Sequence, residues 1–467
     1  MQLQEILNTL NNNYKITGDN GLEIKELFLS SKDVQPDSCF FAVRGSSTDG
    51  HRFISDAIAH GANCIICEEI PEAVSTEKVT FVIVPNVAEI IGPIASVFYS
   101  EPSKKMKVIG ITGTNGKTTV ATMTYRMLSG FMRKTGLIST VENIINNEII
   151  PSTHTTPDAL TIQKLLSQMY IAGCEYVVME VSSHSVVQKR INGINFTGGI
   201  FTNLSHDHLD YHHTIENYAK AKKEFFDNLP IDSFVLTNTD YEYGNFMVAD
   251  SKAHVWTYGF NGSTDFSDII ISNLIGRFNQ YNMLAVFAIG KLLGFEPENI
   301  KKVISNLQAP KGRFELVYNQ GGIKCIVDFA HTPDGVQNVL EAAKEILEED
   351  GRIITIIGCG GNRDEIKRPI MGRISYDLSN IVIFTSDNPR NEDPKKIIAE
   401  MCQGLDENLP ENVHIIIDRK DAIIKAKELA KTGDVVMVLG KGHETYQEIK
   451  GVKNHFDDHE VVLEVFG

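Results

Sequence analysis

The run Gly110-Ile-Thr-Gly113-Thr-Asn-Gly116-Lys117-Thr118-Thr119 carries the residue types that hold a nucleotide's phosphates. Glycines let the backbone curl so that several N–H groups point at one phosphate. A helix starting after them adds its positive dipole end, Lys117 supplies a point charge, and the Thr118 hydroxyl can hold Mg²⁺. The usual G-x-x-x-x-G-K-[ST] spacing would put glycine at position 111, where this chain has Ile111, so the loop is a variant. A glycine-rich turn with a chance lysine is the competing reading. The apolar residues Val108, Ile109 and Ile111 before the loop and a helical pattern after it favour the phosphate loop, and with it a protein that uses ATP.

Three more clusters lie downstream. Glu180-Val-Ser-Ser-His184 follows an apolar run at 176–179, which places a carboxylate at a strand's carboxyl end, where Mg²⁺ would bind; a surface glutamate is the alternative. Residues 202–213, Thr202-Asn-Leu-Ser-His206-Asp207-His208-Leu-Asp210-Tyr-His212-His213, are dense in ligands. Zinc is one reading. No cysteine lies nearby and a nucleotide enzyme needs Mg²⁺, which favours one histidine beside that ion and polar or surface roles for the others. Residues 218–226 form a basic amphipathic helix, and taken alone such a charge run reads as a solvated face.

The elements that must position these groups follow from patterning. Residues 1–100 carry short strands, a helix around 53–59 and a strand at Cys64-Ile-Ile-Cys67; Glu101-Pro-Ser-Lys reads as a linker. From Val108 strand, loop and helix repeat, with Val120, Met123, Met127, Leu128 and Phe131 on one helical face and short buried strands at 176–179, 199–201 and 234–236. From Lys311 the alternation resumes, with strands expected at 353–357, 381–384, 413–417 and 435–439. The expectation is an α/β protein of three domains: 1–100, 101–310 with a mainly parallel sheet, and 311–467 as a Rossmann-like unit that takes ligands at the carboxyl ends of its strands. The 467 residues carry a net charge of −16, which argues against a nucleic acid partner. No apolar run reaches the roughly 18 residues of a membrane span, and the N-terminus lacks a signal-peptide pattern, so a cytoplasmic protein is expected. Seven scattered cysteines argue against a disulfide framework, and Cys64 and Cys67 read as buried thiols rather than half of a metal knuckle.

Ten segments in order, GTNGKTT, HTTPDAL, EVSSHSVVQKR, TNLSHDHLDYHHT, YAKAKKEFF, GRFNQYN, VDFAHTPDG, GCGGNRDEIKRPIMG, SDNPRNEDP and GKGHE, resemble the Mur ligases across the whole chain. The resemblance implies a UDP-sugar-binding first domain, a central ATPase and a Rossmann-like third domain. It assigns Gly113, Thr114, Asn115, Gly116, Lys117, Thr118 and Thr119 to ATP, with Asn282 at the adenine and His331 near the nucleotide. It places Thr118, Glu180, His208 and Lys222 around Mg²⁺, Lys222 as a carbamate, since an unmodified lysine would repel the ion. Lys117, Lys222, His208 and Glu180 are the catalytic candidates. Leu29, Ser31, Ser46, Ser47 and Thr48 match the uridine end, and His154, Thr155, Thr156, Ser182, Gln188 and Arg190 the muramoyl peptide. Arg363, Asp387, Asn388, Pro389, Arg390, Gly440 and Glu444 match the site of the incoming amino acid. The chain departs from the family in having His154 where some members have Asn, Phe329 for the more familiar Tyr, and a shorter segment between Tyr258 and Gly276.

The activity so implied is ATP-driven amide bond formation: phosphorylation of a carboxylate, attack by an amine, loss of phosphate. The substrates would be a UDP-muramoyl dipeptide and an amino acid, with no nucleic acid or membrane partner and a monomeric chain. Asp387-Asn-Pro-Arg390 points to meso-diaminopimelate rather than L-lysine, because an Arg fork can bind the second carboxylate that lysine lacks. The alternatives are the same reaction with lysine or another amino acid, a related amide ligase of folate or natural-product metabolism, or a silent binding protein on this fold. The first two would differ at Arg363 and Arg390, the last by loss of Lys117, Glu180, His208 or Lys222.

Overall fold

The computed structural model describes every residue except 11–12, 46–47 and 406–408. Three main sheets follow one another along the chain. The first has five strands in the order Lys15–Thr17, Thr80–Ile83, Ala62–Cys67, Ser38–Phe41, Glu26–Phe28, parallel except for its first pair. Consecutive strand residues face opposite sides. Phe41, Ile66 and Val82 therefore pack with the helix Val87–Phe98, while Phe40, Ile65 and Phe81 pack with the helix Ile54–Ala59. The same alternation separates Cys64 and Cys67: they lie in opposite core layers, fully buried, and burial pushes the Cys67 thiol up to about 12. They cannot converge on one metal.

Glu101-Pro-Ser-Lys is not a free linker. Pro102–Lys104 is a 3₁₀ turn, and the buried Ser103 Oγ accepts a hydrogen bond from the Asn195 N–H at 3.0 Å. The chain is pinned as it enters the second sheet.

That sheet has eight strands in the order His254–Tyr258, Phe234–Asn238, Phe196–Phe201, Lys107–Thr112, Tyr176–Glu180, Thr135–Ile138, Glu142–Ile145, Glu148–Pro151. The first six are parallel; of these the edge strand His254–Tyr258 is largely exposed, while the inner strands are mostly buried. The last two are an antiparallel hairpin that the sequence reading did not foresee. Its signal was present: Asn146 and Asn147 both have positive φ, the geometry of a two-residue hairpin turn, for which Asn is suited. In the helix Lys117–Gly130, Val120, Met123, Met127 and Leu128 are fully buried as the periodicity predicts; Phe131 lies just beyond it and stacks on Phe295 at 4.5 Å. The short stretch from Tyr258 to Gly276 keeps only an isolated bridge between Tyr258 and Phe266. It buries Phe266, Ile270 and Leu274 in the core that includes the helix Arg277–Leu292, while Ile269 and Ile271 face outward.

The third sheet runs Glu315–Gln320, Ile323–Asp328, Val435–Leu439, Ile353–Ile357, Ile381–Phe384, Val413–Ile415, parallel apart from the first pair. The strand expected at 413–417 ends at Ile415, because it is the sheet's edge and Ile415 and Ile417 remain exposed. A hairpin, Tyr446–Ile449 with Val452–His455, stands outside the sheet. Among the described residues no helix is long and apolar enough to cross a membrane. The second and third sheets turn the carboxyl ends of their parallel strands, at Thr112 and Glu180 and at Asp328 and Leu439, towards one shared cavity.

Candidate active site

The cavity measures about 390 Å³ and is lined from both the second and the third sheet's segments. One end is formed by the glycine-rich loop after the strand Lys107–Thr112, the sequence's candidate for phosphates. Gly113 has φ +151°, and a Cβ there would come within 1.9 Å of Thr202 Oγ1; Gly116 has φ +83°, and a Cβ there would meet Asn282 Oδ1 at 2.5 Å. Only glycine fits either position. The loop is braced by residues the sequence reading quoted but gave no role. Asn203 accepts from the Thr114 N–H through its carbonyl and from the Asn115 N–H through its side chain, while Thr202 Oγ1 donates to the Asn115 carbonyl at 2.6 Å. The first N–H groups of the helix Lys117–Gly130 have no partner within the helix and point out of its start.

Lys117 Nζ donates to the carbonyls of Gly113 and Thr114, at 2.9 and 2.8 Å. Burial lowers its pKa, with Glu180 and Asp207 opposing. Thr118 Oγ1 donates to Glu180 Oε2 at 3.0 Å and accepts from Arg313 Nη2 at 3.0 Å. Glu180 is wholly buried at the end of its strand, and its Oε1 accepts from the Thr140 N–H. The solvated-face reading of helix Ile215–Asp227 fails for Lys222, which is 1% exposed. Its Nζ lies 2.9 Å from the Gly113 carbonyl and 4.6 Å from the Tyr218 ring centre. Burial, then nearby Lys117, holds its pKa well below the ordinary value.

His208 contacts Asp207, Nε2 to Oδ2, at 3.3 Å. Burial pushes its pKa down to about 3, against the opposing charge of Asp207, which favours the neutral imidazole. Asp207, despite burial, is held below the usual carboxylate range by His208, His331 and Lys367. Of the other histidines in that run, His212 is buried against Ser183 and His206 pairs with Asp364 of the third segment at 2.9 Å.

Arg313 and Asp328 join this end without having been foreseen. Arg313 reaches Thr118 and lies over Phe329 at 4.7 Å; Asp328 accepts from the Phe314 and Ala330 N–H groups, and burial raises its pKa to about 6. Asp328 sits in the quoted VDFAHTPDG segment. Arg313 sits in Lys311-Gly-Arg-Phe-Glu at the junction of two segments, where no local pattern names its partner. His331 lines the cavity with Nδ1 on the Phe329 carbonyl, and burial lowers its pKa to about 4. Asn282 is buried at the cavity wall with its Nδ2 on Asn279.

At the opposite end stand Arg363, Asp387, Asn388, Arg390, Gly440 and Glu444, all on the cavity wall. The loops carrying Arg363 and Arg390 are stitched together: Gly361 N–H to the Asn388 carbonyl at 2.9 Å, Arg390 Nη1 to the Gly361 carbonyl at 2.9 Å. Beneath them the buried Arg368 forks both oxygens of Glu392 at 2.9 Å. Arg390 also has Glu448 at 3.6 Å. Pro389 is buried in its turn and does not line the cavity.

The muramoyl-peptide candidates are divided. Thr155 lines the cavity beside Thr140. Thr156, Ser182, Gln188 and Arg190 form their own network next to it: Thr156 Oγ1 donates to the Glu180 carbonyl, Ser182 caps a short helix, and Arg190 donates to Gln188 Oε1 and the Thr156 carbonyl. His154 is exposed, with its ring Nδ1 3.2 Å from Thr153 Oγ1 and its carbonyl accepting from Ser152 Oγ. Of the uridine candidates, Leu29, Ser31 and Thr48 are not brought to this cavity. Leu29 packs on the first sheet's core, Ser31 Oγ donates to Asp56 at 2.5 Å and Thr48 is exposed, while Ser46 and Ser47 lie outside the described residues.

The whole chain has known counterparts. Residues 23–99 match the description "Mur ligase family, catalytic domain", residues 111–290 "Mur ligase middle domain" and residues 312–442 "Mur ligase, glutamate ligase domain". A UDP-N-acetylmuramoyl-L-alanyl-D-glutamate–2,6-diaminopimelate ligase of Cytophaga hutchinsonii is 48% identical over 96% of both chains. The protein of the same name from Phocaeicola vulgatus is 47% identical over 100% of this chain and 99% of its own. A solved structure of a ligase with that name superposes with a TM-score of 0.68, 30% identity, and 100% and 98% coverage. Three family models in order along the sequence and relatives matched end to end place this chain in the Mur ligase family, with its three-domain α/β fold.

Proposed function

We propose that this chain is an ATP-dependent ligase of the cytoplasm that joins meso-diaminopimelate to UDP-N-acetylmuramoyl-L-alanyl-D-glutamate through an acyl phosphate. The observation that carries the reading is the pairing, across one cavity, of a phosphate loop with an Arg390-Asp387-Glu444 pocket suited to a zwitterion. The relatives' shared name agrees with it. The functional division is 1–100 for the UDP-sugar, 101–310 for ATP and 311–467 for the amino acid.

A carboxylate is a poor electrophile. ATP's γ-phosphoryl group passes to the glutamyl carboxylate oxygen, ADP leaves, and the acyl phosphate then carries a good leaving group. The amino group of diaminopimelate, as the free amine, attacks the carbonyl carbon; the tetrahedral intermediate expels phosphate, and the nitrogen gives one proton to phosphate or solvent as the amide forms. Lys117 and the helix-start N–H groups neutralise charge on the transferred phosphoryl group, and Arg313 adds a second cation beside Thr118. Thr155, Ser182, Gln188 and Arg190 hold the muramoyl peptide so that its carboxylate reaches that phosphate. Asn282 and His331 hold the nucleotide. Arg390, with Asn388, takes the far carboxylate of diaminopimelate, and Asp387, Arg363, Gly440 and Glu444 hold its remaining charged groups.

The donor set also fits Mg²⁺: Thr118 Oγ1 already lies on the Glu180 carboxylate, and His208 is neutral. Among the described residues no carboxylate lies within 4 Å of the Lys222 ammonium. A neutral buried amine there can add CO₂, losing one proton, to give a carbamate anion. Thr118, Glu180, His208 and carbamylated Lys222 would hold the metal, which spreads charge across the phosphates when bound.

The test is phosphate release with ATP, the UDP-muramoyl dipeptide and a panel of meso-diaminopimelate, L-lysine and other amino acids. Release with diaminopimelate at a kcat/KM far above that with lysine is expected; a preference for lysine removes the amino-acid assignment, and no release with any amino acid removes the ligase.

A further inference from the structure

Lys441 lies between two residues of the amino-acid pocket, Gly440 and Glu444, yet it does not line the cavity. It is wholly buried. A buried lysine needs a partner for each N–H, and this one has three acceptors: Glu444 Oε2 at 3.2 Å, Asn388 Oδ1 at 3.4 Å and the Tyr446 carbonyl. Asn388 Nδ2 donates to the same Glu444 Oε2 at 2.7 Å, and its Oδ1 also accepts from the Glu448 N–H at 2.9 Å. Both donors therefore converge on one oxygen of Glu444. Among the described residues none donates to the other, Oε1, although Glu444 is on the cavity wall.

We propose that Lys441 is a positioning residue for amino-acid selection: with Asn388 it ties down Glu444 Oε2 and so presents Oε1, as a carboxylate, to an ammonium group of the incoming diamino acid. This rests on the reading of the pocket as the diaminopimelate site. The charge of Lys441 has a second effect. Glu444 faces Asp387 as well as Lys441 and the Asn388 amide, and Arg363 and Arg419 lie within electrostatic reach. Burial and Asp387 push its carboxyl up; Lys441 and Asn388 oppose them. Without Lys441 the carboxyl pKa rises further, so that on lowering the pH the carboxylate that attracts an ammonium is protonated sooner than in the native enzyme.

The experiment measures KM for diaminopimelate, ATP and the UDP-muramoyl dipeptide from pH 6.5 to 9 for the native enzyme, Lys441→Met, Glu444→Gln and the double variant. Lys441→Met is expected to raise KM for diaminopimelate most at the low end of this range, by at most about tenfold for each unit by which the Glu444 pKa rises, with the other two KM values within about twofold. The ratio of variant to native KM should fall as pH rises, since dividing by the native value removes the substrate's own titration. In the Glu444→Gln background Lys441→Met should add almost nothing. A ratio flat with pH, or an equal effect of Lys441→Met in both backgrounds, overturns the proposal and leaves Lys441 as structural support. If Lys441→Met does not fold, Lys441→Gln takes its place in the same cycle. If Glu444→Gln leaves KM for diaminopimelate unchanged, Glu444 does not hold the amino acid; the proposal falls, while the phosphate-release panel decides separately whether the chain is a ligase.

Discussion

The two ends of the cavity treat buried cations in opposite ways. At the phosphate end, Lys117 and Lys222 make their hydrogen bonds mainly to carbonyls, and neither has a carboxylate within 4 Å among the described residues. At the amino-acid end, Arg390 stands 3.6 Å from Glu448, Lys441 3.2 Å from Glu444, and the fully buried Arg419 forks Asp458 at 2.7 and 2.8 Å. Desolvating an unpaired cation is costly, and here the cost shows as depressed pKa values for both lysines. Such a site is balanced only when anions arrive, in this reading phosphates and a carbamate. A zwitterion brings no net charge, so at the other end Arg390, Lys441 and Arg419 are matched by carboxylates, Arg363 being the exception among the described residues.

If that contrast holds, removing an unpaired cation should cost catalysis far more than removing a paired one. Lys117→Ala should lose at least about 10²-fold in kcat, as for a key electrostatic donor, with an unchanged fold by circular dichroism. Near-native kcat in a folded variant would end the claim that this end waits for phosphate charge. Lys222→Ala should be nearly inactive for a different reason, the missing carbamate, and Lys222→Glu, which restores an anion, should fare no worse. Mass spectrometry of bicarbonate-equilibrated native protein should find the carbamate; a fully active enzyme with an unmodified lysine contradicts it.

What was legible in the sequence divides along the same line. The glycine-loop end is built from contiguous runs, so Gly113 to Thr119 and Glu180 could be read from residue type and position after a strand, and 202–213 as a run holding one histidine near them; His208 in particular followed only from the family resemblance. Lys222 could not: its amphipathic helix reads as solvated, and only the packing of that helix under the phosphate loop buries the ammonium. Arg313 and Lys441 were missed because their meaning lies in partners 195 and 53 positions away, Thr118 and Asn388. The parallel core strands were readable as apolar runs. The hairpin Glu142–Ile145 with Glu148–Pro151 was missed although its Asn146-Asn147 turn was a signal, and the early end of Val413–Ile415 was not readable, since that strand lies at the sheet's edge where burial no longer patterns the residues.

Arg390→Ala tests the paired end. The guanidinium already has Glu448 and the Gly361 carbonyl as partners, so its loss should leave kcat with saturating substrate nearly intact. Its effect should fall on selection: diaminopimelate loses a bidentate contact that lysine never made, and the ratio of their kcat/KM values should shrink by roughly 10- to 100-fold, the range of a charged hydrogen bond at about 1.5–3 kcal/mol. An unchanged ratio would mean that Arg390 serves its own loop and not the substrate.

The smallest effect is expected where the two halves of the cavity meet. His206 from the second sheet's segment reaches Asp364 of the third at 2.9 Å, and Asn115 and Ser205 both donate to Asp334 across the same seam. The His206 side chain is 35% exposed, so water screens the contact, and the parallel contacts at Asp334 remain when it is gone. His206→Ala should therefore lower kcat/KM by only about two- to fivefold, the range of a partly exposed ion pair, and equally for diaminopimelate and lysine, because neither end of the cavity loses a ligand. Steady-state kinetics with both amino acids decides it. A loss beyond about tenfold would mean that the seam, and not the contrast between its two ends, limits how the acyl phosphate meets its amine; a loss confined to one amino acid would move His206 from the seam into the pocket that selects the substrate.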